Sequence, residues 1–281
     1  SSYSSAYSTM MSSYDVWTEL MNNEELLRSQ YDVVSGKWPS SYDEVVLIVN
    51  DKNEISDYTL YTLGILSQDD LEENFKKMTN GEEVSFEDTS YSFEELLDLE
   101  YKLILNTDYY EKNGNIWINK KDDDEYMKKK LKDAATIKVV GIIKANEEAV
   151  ATAVNGSGMI GYTHDLTKYL INQINDSKIA REQLDDPNIN VFTDMEFSDE
   201  KLDMNNLTIE QQQYFASMSS SELAEFIKNY SETAGASYED NLKTLGIVEL
   251  DNPSTINIYP KDFESKEEIV ALIDKVNILI L

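Results

Sequence analysis

The most informative pattern of polar and apolar positions lies in residues 36–66. Gly36 and Pro39 favour a turn, because glycine tolerates positive φ and proline lacks an amide donor. The branched apolar run at residues 45–49 is too short for a typical helix and too apolar for a strand with one solvated face. It therefore predicts a buried central strand.

An amphipathic helix is predicted over residues 58–63, after a polar turn at residues 51–53. Ser56 or Asp57 can accept a hydrogen bond from the first free amides of this helix, and Gly64 can end it.

The same helical periodicity recurs along the rest of the chain. Other helices are predicted over residues 14–30 with a break near Asn22 and Asn23, 68–78, 91–97, 165–175, 177–184, 209–230 with an interruption near Ser219, and 265–276. Within 91–97, Ser92 and Glu95 have the spacing of a capping box. Three aspartates at 122–124 precede a further, Lys-rich helix through Lys132, which matches the helix dipole at both ends.

Alternating and buried apolar runs predict several strands besides the central one. Residues 99–105 alternate, and Asn113-Gly114 is a strong hairpin signal before residues 116–118, so these two strands are expected to pair. Further strands are predicted over residues 137–144, 190–193 and 254–259. Residues 149–158, which are small and rich in Gly and Ser, predict a mobile loop. Together, the hairpin and the clustered helices predict an α+β fold with a mixed sheet and flanking helices.

The composition is that of a folded globular protein: 281 residues, 41% of them hydrophobic. The chain has no cysteine, which excludes disulfides, thiolate catalysis and cysteine-ligated metal sites. No run of about 18 apolar residues is present, so no membrane-spanning segment is predicted. Residues 1–13 lack the basic and apolar parts of a signal peptide and are not expected to act as one.

The charge balance is strongly acidic, with 54 Asp and Glu against 24 Lys and Arg and a net charge of −30. Such a field repels phosphate backbones, so binding to nucleic acid is not expected. The acidity also fits attraction of a cationic peptide or a metal ion, but a solvated surface that keeps the domain soluble explains it more simply.

None of the candidate chemical groups forms a recognisable site. His164 is the only histidine, and its place at the start of a helix next to Asp165, a candidate cap for that helix, favours a surface role over catalysis. Asp51, Asn53 and Asp57 carry oxygen ligands, but their spacing is not that of a calcium-binding loop.

Two further patterns do not change this outcome. The aspartates at 122–124 are explained by the helix dipole, and Gly156, Gly158 and Gly161 lack the strand and helix context of a dinucleotide-binding motif. No catalytic, cofactor-binding or metal-binding residue is therefore predicted.

Four stretches in the same order resemble one family. They are residues 36–66, 137–145 (IKVVGIIKA), 161–177 (GYTHDLTKYLINQINDS) and 252–263 (NPSTINIYPKDF). The first is similar to the phrase "G.WP...DEVVLI.......SDY.LY.LGI" of the extracytoplasmic, MacB-like periplasmic core domains of MacB/FtsX-type ABC transporter permeases, in the form carried by Gram-positive, clostridia-like bacteria. None of the four is a catalytic motif.

The resemblance implies a domain organisation. A split membrane-proximal subdomain would comprise residues 1–30 and 250–281. A distal, β-containing subdomain would comprise residues 31–249, with a helical insertion around 164–249. The membrane-spanning helices would lie outside these residues, and the apolar residues 278–281 would approach one of them.

The resemblance also implies a function. The chain would be a non-catalytic domain at the extracellular face of the cell membrane, relaying ATP-driven transmembrane motion to a peptide substrate or an accessory extracellular protein. Its partners would be its own transmembrane helices and a cytoplasmic ATPase subunit. The acidity leaves open a secreted or surface protein that binds a cationic peptide, and the many carboxylates leave open a hydrolase that uses a facing pair of them.

Overall fold

The computed structural model describes residues 16–82, 90–147, 149–150, 159–198, 207–233, 235–253 and 255–280. Helices and strands are mixed along the chain, which confirms the predicted α+β class. The chain divides into two compact units built from separated segments. Unit 1 contains residues 1–101, 136–167 and 256–281, and unit 2 contains residues 102–135 and 168–255.

The elements alternate irregularly between strand and helix. The strands are β1 (Trp17–Glu19), β2 (Tyr31–Gly36), β3 (Glu44–Val49), β4 (Glu100–Lys102), β5 (Tyr110–Asn113), β6 (Ile116–Asn119), β7 (Thr136–Ala145), β8 (Met159–Tyr162), β9 (Ile189–Asn190) and β10 (Met195–Glu196). The α-helices are α1 (Glu24–Gln30), α2 (Asp57–Thr62), α3 (Gln68–Thr79), α4 (Phe93–Leu97), α5 (Asp124–Asp133), α6 (His164–Asp176), α7 (Lys178–Asp185), α8 (Ile209–Ser217), α9 (Ser220–Thr233), α10 (Tyr238–Leu245) and α11 (Phe263–Ile280).

The sheet of unit 1 has the strand order β1-β8-β3-β7-β2, with the short strand β4 also paired to β7. Strand β3 runs parallel to β7 and antiparallel to β8, which makes it the middle strand. All five side chains at residues 45–49 are buried, so the predicted central strand is confirmed. A strand that is buried on both faces has a continuous apolar sequence, which is why this strand could be predicted from the sequence.

One face of this sheet carries an apolar cluster, here called the sheet-face cluster. Its buried members are Leu20, Met21, Leu27, Tyr31, Val46, Ile48 and Ile143. Trp38, Met159 and Tyr259 are among the partly buried side chains that pack against it. The cluster therefore joins the turn before α1, the sheet and the segment that precedes α11.

Gly141 in β7 lies at the tightest point of the sheet. It pairs with Gly36 of β2 and Val46 of β3, next to a register shift in each of the two pairings. A Cβ atom at this position would overlap the carbonyl oxygen of Lys37. Only glycine allows that backbone to approach so closely.

Unit 2 is built around the hairpin of β5 and β6, the small β9–β10 ladder and several helices. One core cluster contains Trp117, Ile174, Ile179, Ala180, Val191, Phe192, Leu245 and Ile247, and a second contains Ile116, Ile118 and Phe226. Since Trp117 lies between Ile116 and Ile118 in β6, this one strand supplies both clusters.

Four buried amide side chains hold the turn after β9. Gln183 Nε2 donates to the Ile189 carbonyl, and the Gln183 and Asn190 side-chain oxygens both accept from Asn241 Nδ2, at 2.7 and 3.0 Å. Asn229 Nδ2 donates to the carbonyls of Trp117 and Phe192 at 2.8 and 2.9 Å. Buried polar groups are stable when they find partners in this way, so the turn has one conformation.

Several sequence predictions are confirmed in detail. Helix α2 follows the Ser56 cap, with Gly64 at φ 70° after its end, and α4 has the full capping box of Ser92 and Glu95. The helices predicted at 68–78, 165–175, 177–184 and 209–230, with its interruption near Ser219, correspond to α3, α6, α7 and the pair α8 and α9. Asp123 caps α5 by accepting from the Tyr126 amide, and α5 is the predicted Lys-rich helix.

The predicted pairing of residues 99–105 with 116–118 is wrong. Only Glu100–Lys102 form a strand there, and that strand pairs with β7. The Asn113-Gly114 turn is real, but it joins β6 to Tyr110–Asn113, because a two-residue turn brings its immediate flanks together.

Three other predictions need correction. Within the helix predicted over 14–30, residues Trp17–Glu19 form strand β1 instead. The helix begins at Glu24, after the predicted break, where Asn23 accepts from the Leu26 amide. The strand predicted over 190–193 ends at Asn190, whose side chain accepts from the Phe192 amide and turns the chain. Residues 255–259 form no strand and leave Ile256 and Ile258 exposed.

Some elements were not predicted at all, namely β2, β5, β8, β10 and α10. The predicted loop at 149–158 falls almost entirely outside the described residues. The predicted membrane-proximal and distal subdomains have other boundaries than units 1 and 2. The division into these two subdomains stays a prediction.

Candidate functional site

A surface cavity of about 170 Å³ lies in unit 1 where the turn before α1 faces the start of α6. Its floor is apolar and includes Leu20 and Leu27. Its walls carry polar groups from the turn, from the segment after β2 and from the first residues of α6. This concave surface brings the titratable side chains of Glu24, Arg28, His164 and Asp165 together, so it is the candidate site.

The first wall is formed by Arg28 and Trp38. The Arg28 guanidinium carbon lies 5.4 Å from the centroid of the Trp38 ring, and Arg28 Nη2 lies 2.6 Å from Glu24 Oε1. A guanidinium over an indole face is attracted by the ring quadrupole, while the exposed pair with Glu24 is weak because water screens it. Trp38 is fixed by its packing against the sheet-face cluster.

Glu19, at the end of β1, organises the polar groups next to the cavity. Its Oε1 lies 2.8 Å from His164 Nδ1, and its Oε2 accepts from Thr167 Oγ1 at 2.5 Å. Burial and the negative charge of Glu19 together raise the pKa of the Tyr259 phenol. The Glu19 carboxylate connects β1 to the first turns of α6.

The start of α6 matches the sequence prediction only in part. His164 begins the helix as expected, but it is half-buried and paired with Glu19 instead of lying free on the surface. Asp165 lies inside the first turn. Among the residues that the structure describes, the buried hydroxyl of Thr163, a residue that lines the cavity, has no hydrogen-bond partner. A buried polar group without a partner costs stability.

The arrangement lacks the contact that activates a nucleophile. In the described part of the chain, His164 hydrogen-bonds to Glu19 and to no hydroxyl group. A serine or threonine nucleophile needs its base within hydrogen-bond reach.

Metal ligation finds no support in the residues that are described, among which no group of three or more His, Asp and Glu side chains could hold an ion. The turn at residues 51–53 is closed by Asn50 Oδ1, which accepts from the Lys52 and Glu54 amides. That internal bonding accounts for the polar residues of the turn.

A second charged group lies in unit 2, where sequence reasoning identified nothing. Glu182 of α7 accepts from Lys112 Nζ at 2.7 Å and from Trp117 Nε1 at 2.7 Å. Partial burial opposes ionisation of Glu182, but the hydrogen bonds from Lys112 and Trp117 outweigh it and lower the pKa of this carboxyl. Glu182 is 70 residues from Lys112 and 65 from Trp117, so no local pattern could have shown the group.

Unit 2 also has a larger cavity of about 350 Å³, lined by residues that include Asp108, Tyr126 and Lys130. Lys130 lies 3.2 Å from Asp108 and 5.5 Å from the centroid of the Tyr126 ring. The Asp108 carboxylate and the Tyr126 ring already compensate the positive charge of Lys130.

No helix within the described ranges combines the length and apolarity needed to cross a bilayer. The chain was compared with protein-family models, with curated proteins and with solved structures, and none of them matches it.

Proposed function

We propose that this chain is the extracytoplasmic domain of a MacB/FtsX-type ABC transporter permease and that it catalyses no reaction itself. In this role it relays movement of transmembrane helices, driven by a cytoplasmic ATPase subunit, to a peptide substrate or an accessory extracellular protein. The four stretches of sequence resemblance support this proposal, and the packing of α11 is the structural observation that carries it.

Helix α11 is hardly covered by the rest of unit 1. From Phe263 to Lys275 only Ser265 and Ile269 are half-buried, and every other side chain is exposed. Phe263 and Leu272 are 70% and 60% exposed, and Val270 and Ile273 about half. Large apolar side chains gathered on one segment indicate a surface that another part of an assembly covers. A helix that receives movement from membrane helices needs such a surface.

The remaining features are consistent with a mechanical part. The central strand of the unit 1 sheet is buried, and the buried amide side chains of unit 2 are hydrogen-bonded to one another. Closely packed elements of this kind transmit a displacement without deforming. The acidic surface disfavours nucleic acid as a partner. The sequence has no phosphate-binding P-loop motif, so the ATPase activity is assigned to a separate domain or chain.

Topology mapping tests the location. The 281 residues contain no cysteine, so Asp51→Cys in unit 1 and Gln213→Cys in unit 2, both at exposed positions, add labelling sites within this domain, and the full-length protein without them is the background control. We expect a membrane-impermeant maleimide to label both in intact cells. Labelling that requires permeabilised cells would contradict an extracellular location.

Membrane retention separates the permease from the alternative, a secreted binder of a cationic peptide, which the net charge of −30 favours. A permease domain stays in the membrane fraction after washing at alkaline pH and co-purifies with an ATPase subunit. Release of the labelled protein by that wash would favour the secreted binder.

A further inference from the structure

The sequence contains three Asn-Gly pairs, at residues 80–81, 113–114 and 155–156, and the last of them lies outside the described residues. In such a pair the backbone nitrogen of the glycine can attack the side-chain carbonyl carbon of the asparagine. Glycine favours this attack because it has no side chain to hinder the approach and its backbone is conformationally permissive. In a folded protein the rate then depends on how firmly the backbone of each pair is held.

The reaction consists of two steps that need only water. In the first step a nitrogen–carbon bond closes a cyclic imide, the glycine nitrogen loses its proton and the side-chain nitrogen leaves as ammonia. In the second step water opens the imide at one of its two carbonyl carbons. The product is aspartate or isoaspartate, and in isoaspartate the main chain runs through the former side-chain methylene group.

The first pair lies at the exposed end of helix α3. Asn80 follows the last residue of the helix, with φ −84° and ψ −2°, and both Asn80 and Gly81 are exposed. The Gly81 amide donates to the Met78 carbonyl at 3.1 Å, and the Glu82 amide donates to the Lys77 carbonyl at 3.0 Å. Hydrogen bonds at a helix end open at almost no cost in free energy. A Cβ atom built on Gly81 meets no atom of the described residues within 4 Å, so this pair has room to cyclise.

The second pair is held in the hairpin of β5 and β6. Asn113 is half-buried and pairs with Ile116 across the turn, and Ile116 is 1% exposed in the second core cluster of unit 2. Glu222 of α9 lies against the turn, since its Oε1 would overlap a Cβ atom built on Gly114. Cyclisation rotates the asparagine backbone, which at this position would break the pairing and pull on a core residue. Such an opening is far less frequent than the fraying of a helix end.

We propose that Asn80–Gly81 is a site at which the folded protein modifies itself, and that the hairpin protects the same dipeptide at residues 113–114. The product carries a new negative charge at the carboxyl end of α3, where the helix dipole is also negative. Isoaspartate in addition lengthens the main chain between the helix and Gly81. The modification therefore loosens the end of α3. The proposal does not depend on the permease function.

Peptide mapping of the aged protein tests the proposal. Lysines between the two pairs place them on separate tryptic peptides, so both conversions are followed in one sample by mass spectrometry. Incubation in water labelled with heavy oxygen marks the molecules that reacted during the experiment. We expect Asn80 to convert at least about tenfold faster than Asn113 in the folded chain. In concentrated denaturant the two rates should agree within about twofold, because the fold then no longer distinguishes them.

Three outcomes would overturn the proposal. The first is a folded chain in which Asn113 converts as fast as Asn80, or faster. The second is a folded chain in which neither converts. The third is a rate difference that persists unchanged in denaturant, which would assign it to the neighbouring residues instead of the fold.

Two variants test the site and its protection separately. Asn80→Gln should remove the conversion from its peptide, because the longer side chain cyclises much more slowly. Ile116→Val removes one methyl group from the core behind the hairpin, and it should raise the rate at Asn113 about two- to tenfold. The rate at Asn80 should stay the same in this variant, since Asn80 lies in unit 1. An unchanged rate at Asn113 would show that the hairpin does not limit the reaction there, which contradicts the proposal.

Discussion

His164 Nδ1 lies 2.8 Å from Glu19 Oε1, so the first turn of α6 is bonded to the end of β1. The same carboxylate accepts from Thr167 one turn further along the helix. These two hydrogen bonds to one carboxylate fix the position of the start of α6 relative to the sheet. They also position the cavity wall that the first residues of α6 form.

Removing this carboxylate should destabilise the protein. We expect Glu19→Ala to lower the free energy of unfolding by about 1–3 kcal/mol, because two hydrogen bonds are lost, and Glu19→Gln to cost less. Urea denaturation at neutral pH measures both. Glu24→Ala, which removes an exposed ion pair with Arg28, is the matched control and should change the value by less than about 0.5 kcal/mol. Equal effects of Glu19→Ala and Glu24→Ala would contradict the structural role of Glu19.

The Glu182 carboxyl should make stability depend on pH. Its folded-state pKa lies below its ordinary value of 4.5, so its stabilising contribution is present above that pH and is lost as pH falls through the folded pKa. Glu182→Gln should therefore be less stable than the unmodified chain at pH 7, and this difference should shrink below pH of about 4. Denaturation series at several pH values measure the difference. Glu239→Gln, at an exposed position in α10, should show no such trend.

The amide network of unit 2 should tolerate substitution poorly. Asn229→Ala removes the donor to the Trp117 and Phe192 carbonyls, and two buried acceptors without a partner cost about 2–4 kcal/mol. Asn188→Ala, on the exposed surface of the same unit, should lie within about 0.5 kcal/mol of the unmodified chain. Thermal unfolding monitored by tryptophan fluorescence is a suitable measurement because Trp117 is in the network. An unchanged midpoint for Asn229→Ala would show that water replaces the lost donor.

Gly141 should be the least replaceable glycine of the sheet. Gly141→Ala forces its Cβ into the Lys37 carbonyl oxygen, and separating β7 from that segment should cost more than about 3 kcal/mol. Gly64→Ala is the control, since it meets no atom and strains only a positive φ, at about 1 kcal/mol. Unfolding in increasing denaturant, followed by circular dichroism, measures the stability of both variants. If Gly64→Ala were the more damaging, the tight approach at Gly141 would be refuted.

The sequence predicts elements well where one short pattern decides the structure. The run at 45–49, the capping box of Ser92 and Glu95 and the Asn113-Gly114 turn each depend on neighbouring residues, and each is present. Strand β2 was missed because its polar residues reflect its edge position in the sheet. Strand β8 was missed because it is only four residues long and contains a glycine, and only its partners β1 and β3 make it a strand.

The candidate site was beyond prediction for a related reason. Glu19 meets His164, and Glu182 meets Lys112, only after the fold has brought separate segments together. His164 taken alone had no special pattern, and its position at a helix start was all that local sequence could indicate. Residues 255–259 show the opposite case, since the strand pattern is clear in the sequence but the segment forms no strand.

Two strand pairings that join distant parts of the chain affect how the protein folds during synthesis. They are the pairings of Trp17 with Ile160 and of Glu44 with Lys138. During synthesis the early strands leave the ribosome well before the residues that complete their ladder, and the segment 102–135 emerges in between. Closure of the sheet therefore waits for β8, with a large entropy loss at that step, which is typical of slow folders. Nascent chains that stop before residue 159 should be the ones that chaperones retain.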